Sequence, residues 1–372
     1  MTITIEVNQY DEFEQKAKRS YPNRIIEAFQ PEAFKHVGYP TRIDSYSSLY
    51  RYADVMHECG FEGIFDLFLK GLSKEEFELV KEITNNVMEL TSSGMEKCVI
   101  PRASLFYSLI SLRNIRAIFP SNDVTILEIG PGSGYLGGLL GLLGYNYIST
   151  DVCQAMYLWQ NALFNKLFGD SFIELADKKY DLNSQKKLSG GTNLHITWWK
   201  FASPLPENVN LNVDCIVCVD AITELNVFAM RYLGRQSTRW FNFSPGNKVF
   251  YVQGTGQQFN FSMIDVIGAF NLMGLDCILS DNFGLPEKYF PTELFHFFTP
   301  KNRPFKKNSG NWFTDQSLKA SIIENRNIQS KLINVELFEI LDFHQAMSNH
   351  RNNETDDELF WNFCNGKEWK WY

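Results

Sequence analysis

An acid and three glycines close a short apolar run in Leu127-Glu128-Ile129-Gly130-Pro131-Gly132-Ser133-Gly134. The stretch can be read as GxGxG through Gly130, Gly132 and Gly134, or as GxGxxG through Gly132, Gly134 and Gly137. In a dinucleotide site the loop amides and the helix that follows hold a pyrophosphate. Pro131 removes one of those amides, and Glu128 sets a carboxylate close to where phosphate charge would sit. The loop therefore suits a cationic ligand without phosphate better, and its glycines let backbone approach that ligand closely. Asp151 ends the next apolar run, where an acid can take ribose hydroxyls under either reading.

Further along stand the groups that could move a proton. Asp220 ends an apolar run and Glu224 follows four residues later. A general base of this kind typically contributes about 10²- to 10⁴-fold to a rate. Each has a plain alternative: Asp220 as a helix N-cap, Glu224 as a loop carboxylate paired with an arginine. His296 is the third candidate base, although a histidine between phenylalanines is commonly packed for structure. His195, at the start of a strand-like run, reads as structural. No further ligands accompany Asp220 and Glu224, so no metal site is expected there. Cys215 and Cys218 have CxxC spacing inside an apolar run and read as buried thiols, since no second Cys/His pair accompanies them. Arg231, Arg235 and Arg239 recur every fourth residue and would share one helix face, either clamping an anion or simply solvated. Among the aromatics near the loop, Tyr135 directly follows it and is the one expected to line the ligand. Arg102 and Tyr107, before the loop, could reach a ligand carboxylate or form a lid.

These residues need a scaffold, and the pattern around them supplies one. Residues 1–120 show helical signals: Ser73-Lys74-Glu75-Glu76 is a capping box, followed by Phe77, Val80, Ile83, Val87 and Leu90 at helical spacing. Pro101 opens a second helix with Leu105, Leu109, Leu112 and Ile115 on its apolar stripe. From Val124 the pattern alternates. Strands are expected at 124–128, 147–151, 195–199, 213–220, 248–253, 276–279 and 294–299. Helices are expected at 135–143, 155–168 and 261–273. The sixth and seventh strands have no helix between them, which points to an antiparallel return. The alternation implies a doubly wound α/β sheet, with candidate bases at its carboxyl ends. Residues 301–372 form a more polar extension with one helical stretch at 334–343.

Composition bounds the class of ligand. The chain has 372 residues, 44% hydrophobic and 15% aromatic, enough for a sizeable core, and a net charge of −8. That charge, with no DPPY or NPPY tetrapeptide after the fourth strand, argues against a nucleic-acid substrate. The opening MTITIEVNQYDEF lacks a basic leader before an apolar stretch, and residues 135–145 are too short to cross a bilayer. Seven scattered cysteines make no disulfide framework. The expectation is a soluble, cytoplasmic protein acting on a small molecule, without membrane or nucleic-acid partners; pairing as a homodimer stays open.

The segment 127–134 closely resembles the first motif of class I S-adenosylmethionine-dependent methyltransferases, over about half the chain, residues 121–300. The resemblance implies a Rossmann-like seven-stranded sheet with an antiparallel last strand, between an N-terminal helical cap (1–120) and the C-terminal extension. It implies S-adenosyl-L-methionine as cofactor, lined by Gly130, Pro131, Gly132, Ser133, Gly134 and Tyr135. Glu128 would sit near the methionine end and Asp151 at the ribose; from their place after the fourth strand, Asp220, also counted with the cofactor residues, and Glu224 could both face the methyl. Ala221-Ile222-Thr223-Glu224-Leu225-Asn226 and residues 154–163 look like bacterial sugar O-methyltransferases, which would make the acceptor an oxygen of a sugar or natural product. An NAD(P)-dependent oxidoreductase using the GxGxxG register, and a non-catalytic scaffold of this fold, are the alternatives. No Tyr is followed four residues later by Lys, so one large dehydrogenase class is missing its catalytic pair.

Overall fold

The computed structural model describes residues 4–29, 40–54, 72–101, 103–176, 188, 190–202, 211–241, 246–254, 262–282 and 294–302. Among the described residues, four α-helices precede the sheet: α1 (Val7–Lys18), α2 (Asn23–Ala28), α3 (Lys74–Gly94) and α4 (Ala103–Ile118). The capping box starts α3 as its sequence implies: the Ser73 hydroxyl accepts from the Glu76 amide, and the Glu76 carboxylate accepts from the Ser73 amide. Glu76 is also paired with Arg113 of α4 at 2.6 Å, both buried, so the cap locks two helices together.

The sheet then alternates with helices: β1 (Thr125–Ile129), α5 (Tyr135–Leu142), β2 (Asn146–Asp151), α6 (Gln154–Phe168), β3 (Phe172–Glu174), β4 (Asn193–Thr197) and the single turn α7 (Trp198–Phe201). There follow β5 (Cys215–Val219), α8 (Val227–Trp240), β6 (Val249–Gln253), α9 (Met263–Leu272), β7 (Leu275–Asp281) and β8 (Phe295–Pro300). The strand order is β3-β4-β2-β1-β5-β6-β8-β7. All pairings are parallel except those of β8, which runs antiparallel to both β6 and β7. β1, β2 and β4 are buried along their whole length, as strands covered on both faces should be.

The fold is the expected doubly wound α/β sheet, with two corrections. The sheet has eight strands instead of seven, because Phe172–Glu174 adds a parallel edge to β4. Three residues carry no readable period. The strand expected to reach Trp199 stops at Thr197, and Trp198 and Trp199 begin α7 with both rings buried. The helical stretch expected at 334–343, and all but the first two residues of the C-terminal extension, lie outside the described residues.

Strand order reverses between β1 and β5. Connections from β1 lead toward β2, and those from β5 toward β6, so the two halves separate above this point. Open α/β sheets bind ligands in that crevice, at the carboxyl ends of the strands. The glycine loop, Asp151 and Asp220 all lie there.

Candidate functional site

The loop after β1 is held open by backbone that favours glycine. Gly130, Gly132 and Gly134 have φ of 67°, 58° and 78°. A Cβ on Gly130 would stand 2.8 Å from the Ala221 Cβ, so the loop lies hard against the chain leaving β5. At Gly132 a Cβ would meet nothing within 4 Å. Pro131 accepts from the Gly134 amide at 2.9 Å, closing the turn into α5. The Ser133 carbonyl accepts from Trp159 Nε1 at 2.9 Å, and its buried hydroxyl lies 3.4 Å from that of Ser104.

Glu128 is buried in β1, and its Oε2 accepts from the Tyr147 hydroxyl at 2.5 Å. Burial pushes its carboxyl up to about 7; the Tyr147 bond opposes this and the Asp151 charge adds to it. Gly137 fits the same corner, since a Cβ there would overlap the Tyr147 ring. Close helix–strand packing is the third glycine's role in a dinucleotide loop too. Gly137 therefore does not choose the register, and Glu128 is held inside the sheet by Tyr147.

Asp151 ends β2 and is also buried. Its Oδ1 accepts from the Cys153 amide at 2.9 Å and its Oδ2 from Gln160 Nε2 at 2.8 Å. Burial pushes the carboxyl up to about 6 against these bonds. The same Gln160 amide reaches the Gly132 carbonyl at 2.8 Å, and its Oε1 lies 3.1 Å from His195 Nε2. One side chain thus joins loop, ribose-position acid and β4. His195 is stacked on Tyr157 at 3.8 Å, and burial lowers its pKa to about 3. It is a neutral donor to Gln160, consistent with its structural reading. Nothing near Gln160 in sequence marks it: the contacts it joins come from three separate elements.

Across the crevice, Asp220 follows β5 with φ 53°, the one non-glycine residue with positive φ among the described residues. Its amide donates to the Gln253 carbonyl at 2.7 Å, and a Cβ on Gly254 would come within 2.8 Å of its Oδ1. The N-cap of α8 is Asn226, which accepts from the Phe228 and Ala229 amides, so Asp220 does not cap that helix. Its carboxyl is bonded by the Tyr107 hydroxyl of α4, which partly offsets the burial that raises it to about 6. Glu224 lies in the turn between them, half-buried, pushed up to about 7 first by burial and then by the charges of Asp220 and Asp151. The charges of Asp151 and Asp220 thus both reach Glu224.

Other candidates are placed elsewhere. His296 is buried in β8 with Nδ1 2.9 Å from Ser280 Oγ. Its neighbour Phe297 stacks on Tyr251, so alternation puts His296 on the opposite face of the sheet. Tyr135 is buried and donates its hydroxyl to the Ala53 carbonyl, tying α5 to the N-terminal region. Arg231 and Arg235 are exposed on α8 while its other side is buried, the solvated reading. Cys215 and Cys218 are buried free thiols. Arg102 lies outside the described residues. Among the described residues, no group of three or more His, Cys, Asp or Glu is arranged to hold a metal ion, and no helix is long and apolar enough to cross a membrane.

Several solved structures similar to this chain are methyltransferases. One is a TehB-like SAM-dependent methyltransferase from Corynebacterium glutamicum, 14% identical, covering 51% of this chain and 88% of that one, with a TM-score of 0.35. Another is the magnesium protoporphyrin IX methyltransferase of Synechocystis with bound SAM, 8% identical, covering 53% and 82%, TM-score 0.35. A third is the SAM-bound amino pentose methyltransferase of calicheamicin biosynthesis from Micromonospora echinaspora, 10% identical, covering 53% and 92%, TM-score 0.34. No family model matches the sequence, and no curated protein does.

Proposed function

We propose that this protein is an S-adenosylmethionine-dependent methyltransferase acting on a small-molecule acceptor, on oxygen of a sugar or natural-product scaffold. The observation that carries the reading is the crevice where the strand order reverses. A glycine loop with room at Gly132 lies there beside three acids, Asp151, Asp220 and Glu224, and the charges of the first two act on the third. Such a group repels phosphate and favours a cation. A sulfonium cofactor with an ammonium, a ribose diol and no phosphate fits this donor set.

When bound, the cofactor supplies a methyl group already activated by its sulfonium. The chain's residues do the rest. Gly130 to Gly134 admit the ligand close to backbone, and Gln160 fixes the loop relative to Asp151, which accepts from the ribose hydroxyls. Asp220 or Glu224 takes the acceptor's hydroxyl proton as the oxygen attacks. With pKa values raised to about 6 and 7, both are poised near neutrality for that transfer. His296, on the other face, is the third and more remote candidate. Residues 1–120 would cap the site, and a cytoplasmic location goes with this reading.

Isothermal titration with S-adenosylhomocysteine is the test, and absence of binding by the intact protein would sink the proposal. Binding of a nicotinamide cofactor in its place would favour the oxidoreductase reading.

A further inference from the structure

Helix α1 lies across the carboxyl ends of β2 and β4, and Tyr10 is its residue at that crossing. The Tyr10 ring centre is 5.1 Å from that of Tyr157 and 5.0 Å from that of Trp199. Tyr157 is one turn before Gln160, the residue that holds Asp151. Trp199 is two residues beyond Thr197, which stands opposite Asp151 in the β2–β4 register. Tyr10 is therefore bracketed by the two elements that flank Asp151.

The helix is firmly seated. Glu14 accepts from Trp198 Nε1 at 2.9 Å and Arg42 Nη1 at 2.8 Å, and Asp11 accepts from Gln154 Nε2 at 2.6 Å. Yet the Tyr10 hydroxyl, on a side chain with no exposed surface, finds no hydrogen-bond partner among the described residues. The Thr197 hydroxyl, equally buried, finds none either. A buried hydroxyl left without a partner has lost its hydrogen bonds to water and gained none in return. Phenylalanine and valine would give the same packing without that cost, so these two hydroxyls point to a partner that arrives from outside the fold. Burial raises the pKa of the Tyr10 hydroxyl, the charges of Glu14 and Asp151 add to this and that of Arg42 opposes it.

We infer that Tyr10 and Thr197 complete, with Asp151, a subsite for the vicinal diol of a nucleoside ribose. The hydrogen-bond pattern is complementary. A carboxylate only accepts, so Asp151 takes protons from the diol, while the Tyr10 and Thr197 hydroxyls donate to the diol oxygens. Helix α1 is then part of the cofactor site, and not only a cap over the acceptor. The inference rests on the cofactor reading above and extends it to Tyr10, 141 positions before Asp151, and Thr197, 46 positions after it.

The test is calorimetric titration of S-adenosylhomocysteine into the intact protein, Tyr10→Phe and Thr197→Val, with melting of each measured without ligand. Each variant is expected to bind about 3- to 10-fold more weakly. Each is also expected to melt no lower than the parent, because it sheds an unpaired buried hydroxyl. A merely structural tyrosine would show the reverse: a lower melting temperature and unchanged affinity. Parent-like affinity in both variants overturns the inference and means that ordered water fills the gap. No binding by the parent protein would instead overturn the functional reading.

Discussion

The two sides of the crevice are built differently. On the β1–β2 side, Glu128 and Asp151 are only 2% and 5% exposed, and each is tied to neutral donors: Tyr147 for the first, Cys153 and Gln160 for the second. On the β5–β6 side, Asp220 and Glu224 are half-buried, one on a left-handed residue and the other in an irregular turn before α8. The first side is closed to solvent, while the second keeps part of its surface open even though Tyr107 bonds Asp220. That division suits a site in which one ligand is constant and the other is variable. The constant part can be met by fixed geometry, whereas the group that meets the acceptor must be reachable.

The largest effect should come from neutralising the accessible side. Asparagine tolerates positive φ better than other residues with a side chain, so Asp220→Asn keeps the backbone. Turnover should drop by about 10²- to 10⁴-fold if Asp220 is the base. Affinity for S-adenosylhomocysteine should change little, while Asp151→Asn should do the opposite, lowering affinity more than turnover. Steady-state rates beside calorimetric affinities check this. Equal losses of affinity in both variants would erase the distinction between the sides.

Next is the seam between the sides. Gly130→Ala combines a left-handed backbone with a Cβ driven into Ala221. Left-handed backbone and overpacking together should cost about 2–4 kcal/mol. Gly132→Ala meets open space, so its stability cost should stay near 1 kcal/mol while ligand affinity falls, because the methyl enters the ligand's room. Chemical denaturation of both variants separates them, and equal destabilisation would contradict the difference in room at the two glycines; calorimetric titration of Gly132→Ala checks the fall in affinity.

Much of this was legible before any coordinates. The β1 strand, glycine loop and Asp151 are adjacent in sequence, so local pattern finds them, as it finds the Ser73 capping box and the antiparallel β8. What pattern does not find is contact between distant elements. Gln160 reads as one more helical polar residue, yet it joins Gly132, Asp151 and His195. Tyr107 supports Asp220 from a helix more than a hundred residues earlier. His296 has the right residue type, and its partner Ser280 lies on the neighbouring strand β7, sixteen residues earlier. Trp198 and Trp199 have strand propensity, and burial of both rings in a helical turn overrides it.

The closed side also predicts a pH signature. The folded pKa of Glu128, about 7, lies above the usual carboxylate value of 4.5. Its contribution to stability is thus fully present below about pH 4.5 and lost as pH rises through 7. Glu128→Gln keeps an acceptor for Tyr147 and does not titrate. The two proteins should be closest in stability near pH 5, with the variant gaining by about 1–3 kcal/mol at pH 8. Denaturation at several pH values measures the gap, and a pH-independent difference would contradict the burial argument.

The smallest effect tests whether the accessible side extends along α8. Arg231 and Arg235 stand on the exposed face of that helix, while Met230, Leu233 and Gly234 pack inward, Gly234 against Met273 and Phe270. Long charged side chains on a solvated face contribute little to stability, and here they leave the carboxyl ends of the strands to the acids. Replacing both arginines with alanine should leave the melting temperature within about 2 °C and cofactor affinity unchanged. A loss of turnover at unchanged cofactor affinity would mean that α8 holds an anionic part of the acceptor. In that case the variable side of the crevice would be wider than Asp220 and Glu224, and the acceptor would carry a carboxylate or phosphate.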